Sequence, residues 1–576
     1  MLSPVSMPHE PSAGRALFLI LICLVPLLAG RAAAAAAALP DDYRHAFEGG
    51  AANGAWGGGI AVGLIDGNDQ AEWFFGKAAD GVTPDRDSAF EIGAATDVLT
   101  GLLVAQAVLE GKLRLGWTLR QILPADFPWR DERLAATTVE DLVTQHSLLP
   151  PGPTNLFPLR AEDPYSDYRQ SDLLAWLANV QMPTPAAGAG YSILNGGVLG
   201  LLLARVHADD YPNLMAARIL VSLGMTHTGF DDSGRLLSGR AFGQPVAHWH
   251  FDAFAGAAGL RSSLGDLLGF VRANLRPEGS SLRAALLLAR QARSTDPGGG
   301  IGFGWNVHEV TVDQQSWPLV WRASVTGGFS TFIGFRTDRQ QGLVLLAASA
   351  TELAPIGLAW LSGESAPGTP APPYSAPAGQ AARYPGLYRL LNGPELTVRS
   401  AAEALSAQLR GQPSWPLFPI ADDVYATRGG AILITFLRNV DEINGLLLRT
   451  DGAYVMAHRL SVRAPVLLRT PTAIDAARLA DLPGDFELDA GMQLRVSRSA
   501  DGIYARYTGA SLQPMRAYAT DRFSADDGAD ELAFQRDEHG KVSGVTVVLG
   551  GAERHAQPIR WQVPRLPPYT APVPVD

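Results

Sequence analysis

Residues 90–101 read FEIGAATDVLTG, and the rest of the chain is organised around them. From Val98 to Leu109 apolar residues recur with helical spacing, and Glu110-Gly111 follows as a stop signal. The stretch therefore predicts a turn that opens a buried helix. Ala94 and Asp97 stand where that helix begins.

Strand signals lie on both sides of this helix, far apart in sequence. Residues 57–67 and 71–76 precede it and predict a hairpin, while the Leu- and Ala-rich region 139–223 predicts mostly helices. Alternating strand patterns return at 302–307, 330–335 and 342–346. Together they predict a mixed α/β domain, in which one antiparallel sheet has helices on both faces and a mainly helical subdomain beside it.

The C-terminal part contains an internal repeat. Pro385-Gly386-Leu387-Tyr388 recurs as Pro483-Gly484-Asp485-Phe486, an offset of 98 residues (484 − 386). Short alternating runs broken by Gly, Asp and Asn fill each copy, which predicts two small antiparallel β-barrels. The Pro-rich, aperiodic stretch 365–373 predicts a semi-rigid linker before them.

These signals divide the chain into five parts. The predicted parts are a signal peptide at 1–38, an α/β domain at 39–363, a linker at 364–382, a first barrel at 383–475 and a second at 476–568.

Composition excludes several classes of protein. The chain has 576 residues, of which 47% are hydrophobic and 18% charged, values typical of globular proteins. A net charge of −11 without a basic stripe argues against nucleic-acid binding. No cofactor is indicated.

The N-terminus predicts export. Arg15 precedes an apolar run at 16–28 and an alanine tract at 32–38, and this run is shorter than the roughly 20 residues that a membrane span needs. Cleavage would remove Cys23, the single cysteine, and leave no membrane span. The sequence thus predicts a secreted or periplasmic protein, with an uncleaved membrane anchor as the alternative.

The stretch at 90–101 resembles the nucleophile segment of class C serine β-lactamases, D-aminopeptidases and esterases, and low-molecular-weight penicillin-binding proteins. Their pattern is Phe-x-Ile-Gly-Ser-x-x-Lys, in which the serine attacks a carbonyl and the lysine belongs to the base system. Here Ala94 replaces the serine and Asp97 replaces the lysine. No Ser-x-x-Lys occurs elsewhere, because the residues three before the lysines are Phe74, Leu109 and Glu538.

Two further motifs of that superfamily are present in altered form. GYSILNGG at 190–197 resembles the Tyr-Ser-Asn loop: Tyr191 is retained, Ile193 takes the asparagine position, and Asn195 comes two residues late and is expected to face elsewhere. RASVTGGFS at 322–330 resembles the His-x-Gly or Lys-Thr-Gly strand motif, with Arg322 in place of the basic residue and Ser324 in place of glycine.

The resemblance implies roles for these positions. Arg322 keeps a positive charge for a carboxylate, whereas Ser324 places a side chain where glycine lets a substrate approach. The backbone N–H groups of Ala94 and Val325 are expected to line the oxyanion position. Asp97 and Arg322 border the same cleft in this fold, which makes a salt bridge between them plausible.

Scaffold segments extend the resemblance over about residues 45–350. They are 141–150 (DLVTQHSLLP), 223–230 (LGMTHTGF), 248–256 (HWHFDAFAG) and 259–263 (GLRSS). Family resemblance implies the fold and does not establish activity.

Several alternatives stay open at individual residues. His248 and His250 form a His-x-His pair that could ligate zinc, although a structural role is favoured and no metal is expected. Thr96, Thr100, Ser192 and Ser324 are candidate replacement nucleophiles, with a hydrogen-bonded scaffold hydroxyl as the favoured interpretation. Tyr191 is either a buried ring with one hydroxyl partner or a ligand contact.

Three functions follow from the sequence. The leading hypothesis is a secreted pseudoenzyme that binds a peptide, a peptidoglycan-like cell-wall fragment or a protein partner. Its predicted ligand-binding residues are Ala94, Asp97, Tyr191, Ser192, Arg322, Ser324 and Val325. The alternatives are an active hydrolase of the D-aminopeptidase, carboxypeptidase or esterase type with a non-standard nucleophile, and a structural protein in which the barrels do the work. The oligomeric state is not indicated.

Overall fold

The computed structural model describes residues 38–571, with gaps. The gaps are residues 161, 183–189, 232–233, 297–298, 313–314, 370–371, 392, 402–403, 428–431, 440–441, 451–452, 463–468, 490, 499–501, 511, 527 and 529. The predicted signal peptide at 1–38 therefore lies, except for Ala38, outside the described residues. Among the described helices, none has both the length and the apolar character needed to cross a membrane.

Strands from both ends of the first domain form its main sheet. The strands are β1 Ile60–Asp66, β2 Asp69–Phe75, β3 Ala89–Glu91, β4 Arg240–Ala241, β5 Gln244–Pro245, β6 Arg261–Ser263, β7 Ser294–Asp296, β8 Gly299–Ile301, β9 Asn306–Val312, β10 Gln315–Val325, β11 Ser330–Arg336 and β12 Gln341–Ala347. The main sheet has the order β2-β1-β12-β11-β10-β9-β8-β7, and β3 pairs with β6 and β4 with β5 in two small sheets. The predicted antiparallel sheet of distant pieces is confirmed.

Helices cover both faces of this sheet and form the helical subdomain. They are α1 Asp41–Ala52, α2 Thr96–Leu109, α3 Leu119–Ile122, α4 Glu132–Ala135, α5 Val139–Val143, α6 Gln170–Asn179, α7 Ile193–His207, α8 Tyr211–Met215, α9 Val221–Leu223, α10 Ala255–Ala258, α11 Leu264–Leu275, α12 Arg283–Ala289 and α13 Ala354–Ser362. A π-helix at Ala216–Leu220 joins α8 to α9, and 3₁₀ turns occur at Gly93–Ala95, Pro277–Gly279 and Gln380–Arg383.

The alternation of apolar residues along the strands divides the core into two layers. Val62 and Phe332 point to the face covered by α1 and α13, where Trp360 packs. Ile333 and Phe335 point to the opposite face, which shares a core with α2, α7 and α11. Successive side chains of a strand point to opposite faces, so strands apolar at every position require cover on both.

One predicted strand is wrong at its start. Residues 302–305 form a turn, and β9 begins only at Asn306. Gly304 adopts φ +75°, and a Cβ there would lie 2.6 Å from the carbonyl oxygen of Asp97. The turn thus brings the backbone against the start of α2, which alternation alone does not reveal.

Two closed eight-stranded barrels follow, as predicted. The first consists of β13 Gly386–Leu390, β14 Glu395–Ala401, β15 Ala404–Leu409, β16 Trp415–Ala421, β17 Val424–Ala426, β18 Ile432–Asn439, β19 Glu442–Thr450 and β20 Ala453–Ser461. After α14 (Ala476–Leu479), the second consists of β21 Gly484–Asp489, β22 Met492–Arg498, β23 Gly502–Tyr507, β24 Gln513–Ala519, β25 Arg522–Ala525, β26 Asp530–Arg536, β27 Val542–Leu549 and β28 Ala552–Ile559. The first strands of the two barrels begin 98 residues apart (484 − 386), and their last strands end 98 residues apart (559 − 461).

The second barrel is docked on a loop of the helical subdomain. Arg506 Nη1 donates to the Phe157 carbonyl (3.1 Å), Thr508 Oγ1 donates to the Thr154 carbonyl (2.6 Å), and the Gly509 N–H donates to the Leu156 carbonyl (3.1 Å). Arg506 is only 7% exposed. These bonds hold one end of the loop that continues to Tyr165.

Replacing Arg506 with methionine should loosen this loop. A hydrogen bond from a charged donor contributes about 1.5–3 kcal/mol, so amide exchange at 154–158 should accelerate by roughly tenfold or more. Hydrogen–deuterium exchange of the full chain measures this, and the exposed Arg498 on the same barrel provides the control Arg498→Met. Equal exchange in the two variants would show that Arg506 does not hold the loop.

Candidate functional site

A tight turn places the start of α2 against the end of β10. The turn Gly93–Ala95 follows β3, and the Ile92 N–H donates to the Leu260 carbonyl at 3.2 Å. Gly93 adopts φ +48°, and a Cβ there would lie 2.3 Å from Ser324 Oγ and 2.7 Å from Thr326 Cγ2. Glycine is therefore required both by the backbone conformation and by the close approach of β10.

Asp97 and Arg322 form the ion pair that the sequence suggested. Arg322 Nη2 lies 2.7 Å from Asp97 Oδ2, and the two side chains are 11% and 5% exposed. Arg322 Nε also donates to the Ala94 carbonyl at 3.1 Å. The two opposite charges compensate each other, and the paired side chains lie at the N-terminus of α2.

Tyr191 completes this cluster from the loop before α7. Its ring centroid lies 5.2 Å from the Arg322 guanidinium carbon, within the range of a cation–π contact. Its hydroxyl group lies close enough to Asp97 to lower the pKa of that carboxyl group, although 42% of the residue is exposed.

Burial dominates the protonation of this cluster. It raises the pKa of Asp97 to about 7, against the opposing effects of the Arg322 charge and of the hydrogen bonds from Tyr191 and Arg322. Burial and the neighbouring Asp97 carboxylate raise the pKa of Tyr191 well above its usual value. Tyr191 therefore stays a neutral phenol near pH 7 and is a poor general base.

The expected oxyanion donor at Ala94 already has a partner in the chain. The Ala94 N–H donates to Ser324 Oγ at 2.7 Å, so the serine that replaces the family's glycine occupies this donor. Val325 ends β10 beside it, with 44% of the residue exposed. The site brings together Ala94, Asp97, Tyr191, Arg322 and Ser324.

The other candidate hydroxyl groups bind the scaffold. Ser192 Oγ donates to the Pro150 carbonyl, and the Leu260 N–H donates to Thr96 Oγ1 at 3.2 Å. Thr100 Oγ1 lies 2.6 Å from both the Tyr211 hydroxyl and the Gly256 carbonyl oxygen. All three residues are at most 1% exposed, as expected of scaffold hydroxyl groups.

The altered Tyr-Ser-Asn loop has lost its amide at the cleft. Ile193 is buried at the start of α7. Asn195 Nδ2 donates to Gln145 Oε1 at 2.6 Å, and Ser147 Oγ donates to Asn195 Oδ1. Asn195 therefore faces the 145–147 segment.

An aromatic wall beside Tyr191 was not predicted. We use this name for Tyr165, Trp249 and Phe251, whose rings contact one another. The Tyr165 ring lies 5.5 Å from Trp249 and 5.2 Å from Phe251, and it is close enough to Tyr191 to affect its pKa. A Cβ on Gly327 would lie 2.5 Å from Trp249 Nε1, so this wall also packs on the turn after β10. Nothing in the sequence links residue 165 to residue 249, which come from two separate loops.

His248 and His250 are both held by buried carboxylates. His248 Nδ1 lies 3.2 Å from Glu91 Oε1, and His250 Nδ1 lies 2.8 Å from Asp163 Oδ2. In the part of the chain that the structure describes, no group of three or more His, Cys, Asp or Glu side chains could hold a metal ion. The two histidines attach the 248–250 segment to the scaffold.

Comparison with known proteins agrees on one family. A family model described as Beta-lactamase matches residues 45–362. A beta-lactamase of Pseudomonas fluorescens is 25% identical over 328 residues, covering 50% of this chain and 88% of that protein. The D-alanyl-D-alanine-carboxypeptidase/endopeptidase AmpH of Escherichia coli (strain K12) is 24% identical over 331 residues, covering 52% and 81%. A solved class C beta lactamase from Rhodobacter sphaeroides aligns with TM-score 0.46 and 21% identity over 52% of this chain and 94% of its own.

Proposed function

Because the chain belongs to the beta-lactamase family, whose model matches residues 45–362, we propose that it is a secreted or periplasmic member that has lost acyl transfer and acts by binding. The observation that carries the proposal is the buried Asp97–Arg322 ion pair at the head of α2, next to an alanine in place of the nucleophile. The proposal also includes the domain boundaries predicted from the sequence, which follow residues 363, 382 and 475.

The nucleophile and its base are both missing. The Ala94 methyl group has no oxygen for attack, and Asp97 faces Arg322 instead of acting as the lysine would. Tyr191, the remaining family residue, has a pKa raised well above its usual value, so it would not take a proton near pH 7. Loss of both the nucleophile and its base leaves only a small residual acceleration.

A binding function is supported by what the cleft still exposes. Tyr191 and Val325 are 42% and 44% exposed, and Trp249 of the aromatic wall packs on Gly327 in the turn after β10. On β10, residues 315–321 pair with β9, whereas 322–325 pair with β11 alone, so one edge of this short segment faces the turn at Ala94. A strand edge beside aromatic side chains suits an extended peptide.

A peptide, a cell-wall fragment or a protein partner is therefore the proposed ligand. One relative is named a D-alanyl-D-alanine-carboxypeptidase/endopeptidase, which makes peptides the first class of ligand to test.

The second candidate is an active hydrolase with a non-standard nucleophile, and Ser324 is the residue that favours it. Its hydroxyl group is half-buried at the cleft, 2.7 Å from the Ala94 nitrogen. However, it accepts the hydrogen bond of the expected oxyanion donor and so occupies the carbonyl-oxygen position, opposite in role to a nucleophile.

Covalent labelling tests the proposal. The purified full chain should form no adduct with a fluorescent penicillin or a fluorophosphonate, as judged by gel fluorescence and intact mass. An adduct removed by Ser324→Ala would establish the hydrolase alternative instead. An active class C beta-lactamase serves as the positive control.

A further inference from the structure

Two side chains of the protein occupy the positions where a ligand's polar groups would bind. The Arg322 guanidinium is shared among the Asp97 carboxylate (2.7 Å), the Ala94 carbonyl (3.1 Å) and the face of Tyr191 (5.2 Å). The sequence predicts that Arg322 keeps a positive charge for a ligand carboxylate, and in the structure this charge is paired with Asp97 on a side chain that is only 11% exposed.

A carboxylate brought to Arg322 would meet Asp97 as well. Two carboxylates that share one guanidinium in a poorly solvated site repel each other, and one of them must then take up a proton. Asp97 therefore acts as an internal counter-ion that excludes anionic ligands.

Ser324 hinders the binding of a ligand carbonyl group, as Asp97 hinders the binding of a carboxylate. Its Oγ accepts from the Ala94 N–H at 2.7 Å, so a ligand carbonyl would first have to displace this hydroxyl group. The cleft surface that remains exposed is aromatic and apolar, at Tyr191 and Val325.

From this geometry we infer that the cleft selects peptide segments without a free carboxylate, that is, the interior of an extended chain and not its C-terminal end. The inference rests on the proposed function and names the ligand class of the same site. Asp97 is the residue that sets this specificity.

The test compares two fluorescent probes on the full chain, dansyl-Gly-D-Ala-D-Ala and its C-terminal carboxamide. Fluorescence anisotropy at pH 8 should give the wild type a carboxamide affinity at least equal to that of the acid. Asp97→Asn removes the counter-ion and leaves Arg322 in place, so the acid should gain about tenfold over the carboxamide, equivalent to about 1.4 kcal/mol. Glu132→Gln, at a residue whose side chain is 78% exposed on the helical subdomain, is the charge-matched control and should keep the wild-type ratio.

A pH series of the wild type gives a second measurement that needs no variant. The titratable and charged groups facing Asp97 are Arg322 from β10, Tyr191 from the loop before α7, and Tyr211 from α8. Both tyrosines have raised pKa values and stay neutral, so Asp97 is the one of these groups that changes its charge between pH 8 and pH 5. The relative affinity for the acid should rise as the pH falls, because protonation of Asp97 frees Arg322 while the probe stays ionised.

The outcomes separate the two proposals. A wild type that prefers the acid by tenfold at pH 8, or an Asp97→Asn variant and a pH series that leave the ratio unchanged, overturns the inference but leaves binding intact. Failure of the wild type and the variant to bind either probe at any pH counts against the proposed binding function itself.

Discussion

Replacing Arg322 with methionine is expected to lower the free energy of unfolding by about 3–5 kcal/mol at pH 8, because it leaves the Asp97 carboxylate buried without a counter-ion. The Asp97 side chain is 5% exposed, so water does not replace the lost partner. Calorimetry that follows the transition of the first domain measures the effect.

The double variant Asp97→Asn/Arg322→Met distinguishes the destabilisation caused by the unpaired charge from the destabilisation caused by lost side-chain packing. Removing both charges should restore most of the stability, since the cost comes from the unpaired carboxylate more than from the loss of a bond. Arg120→Met is the control, because Arg120 pairs with Glu132 at the surface and such pairs contribute about 0–1 kcal/mol. An Arg322→Met effect no larger than that of Arg120→Met would contradict the role given to the pair.

The penalty should also depend on pH in a defined direction. Without Arg322, the folded-state pKa of Asp97 rises further above its unfolded value of about 4. A raised carboxyl pKa contributes stability that is present below the unfolded value and is lost as the pH rises, by up to about 1.4 kcal/mol per pH unit. Arg322→Met should therefore be more destabilised relative to the wild type at pH 8 than at pH 4–5, because the wild-type Asp97 ionises only as the pH rises through about 7. The double variant lacks this carboxyl group and should not show the added loss.

Rebuilding the acyl-transfer site should require four substitutions. We expect Ala94→Ser/Asp97→Lys/Arg322→His/Ser324→Gly to be labelled covalently by fluorescent penicillin. The variant supplies the nucleophile and the lysine, and it replaces Arg322 so that the introduced lysine does not meet a second buried cation. Removing the Ser324 hydroxyl group frees the Ala94 N–H for an oxyanion.

Simpler variants provide the controls. Ala94→Ser/Asp97→Lys should stay unlabelled and unstable, because the lysine would face Arg322 without a carboxylate between them. The triple variant that keeps Ser324 should be labelled roughly 100-fold more slowly than the quadruple variant, the usual effect of losing one oxyanion donor. A folded quadruple variant without labelling would mean that the cleft is closed to β-lactams by groups other than these.

Much of the fold was predictable from the sequence because its signals are local. The helix after residue 97 and the strands at 330–335 and 342–346 follow from apolar periodicity, and the barrels follow from a repeat that preserves its spacing. The turn at 302–305 was missed because Gly304 responds to the backbone of α2 and not to its own neighbours.

The site likewise has residues that the sequence identifies and contacts that only the tertiary structure provides. Ala94, Asp97, Ile193, Arg322 and Ser324 could be recognised from the sequence alone, since each lies inside a short motif that resembles one of the family, and the proposed loss of acyl transfer rests on them. What takes their place was decided only by the tertiary structure. Ser324 meets the Ala94 N–H across 230 residues, and Tyr165 meets Trp249 across 84, because sheet order and loop docking bring together segments that have no local interaction. The chemical groups of a motif are set by a short stretch of sequence, whereas the side chains that fill the site depend on packing between distant segments.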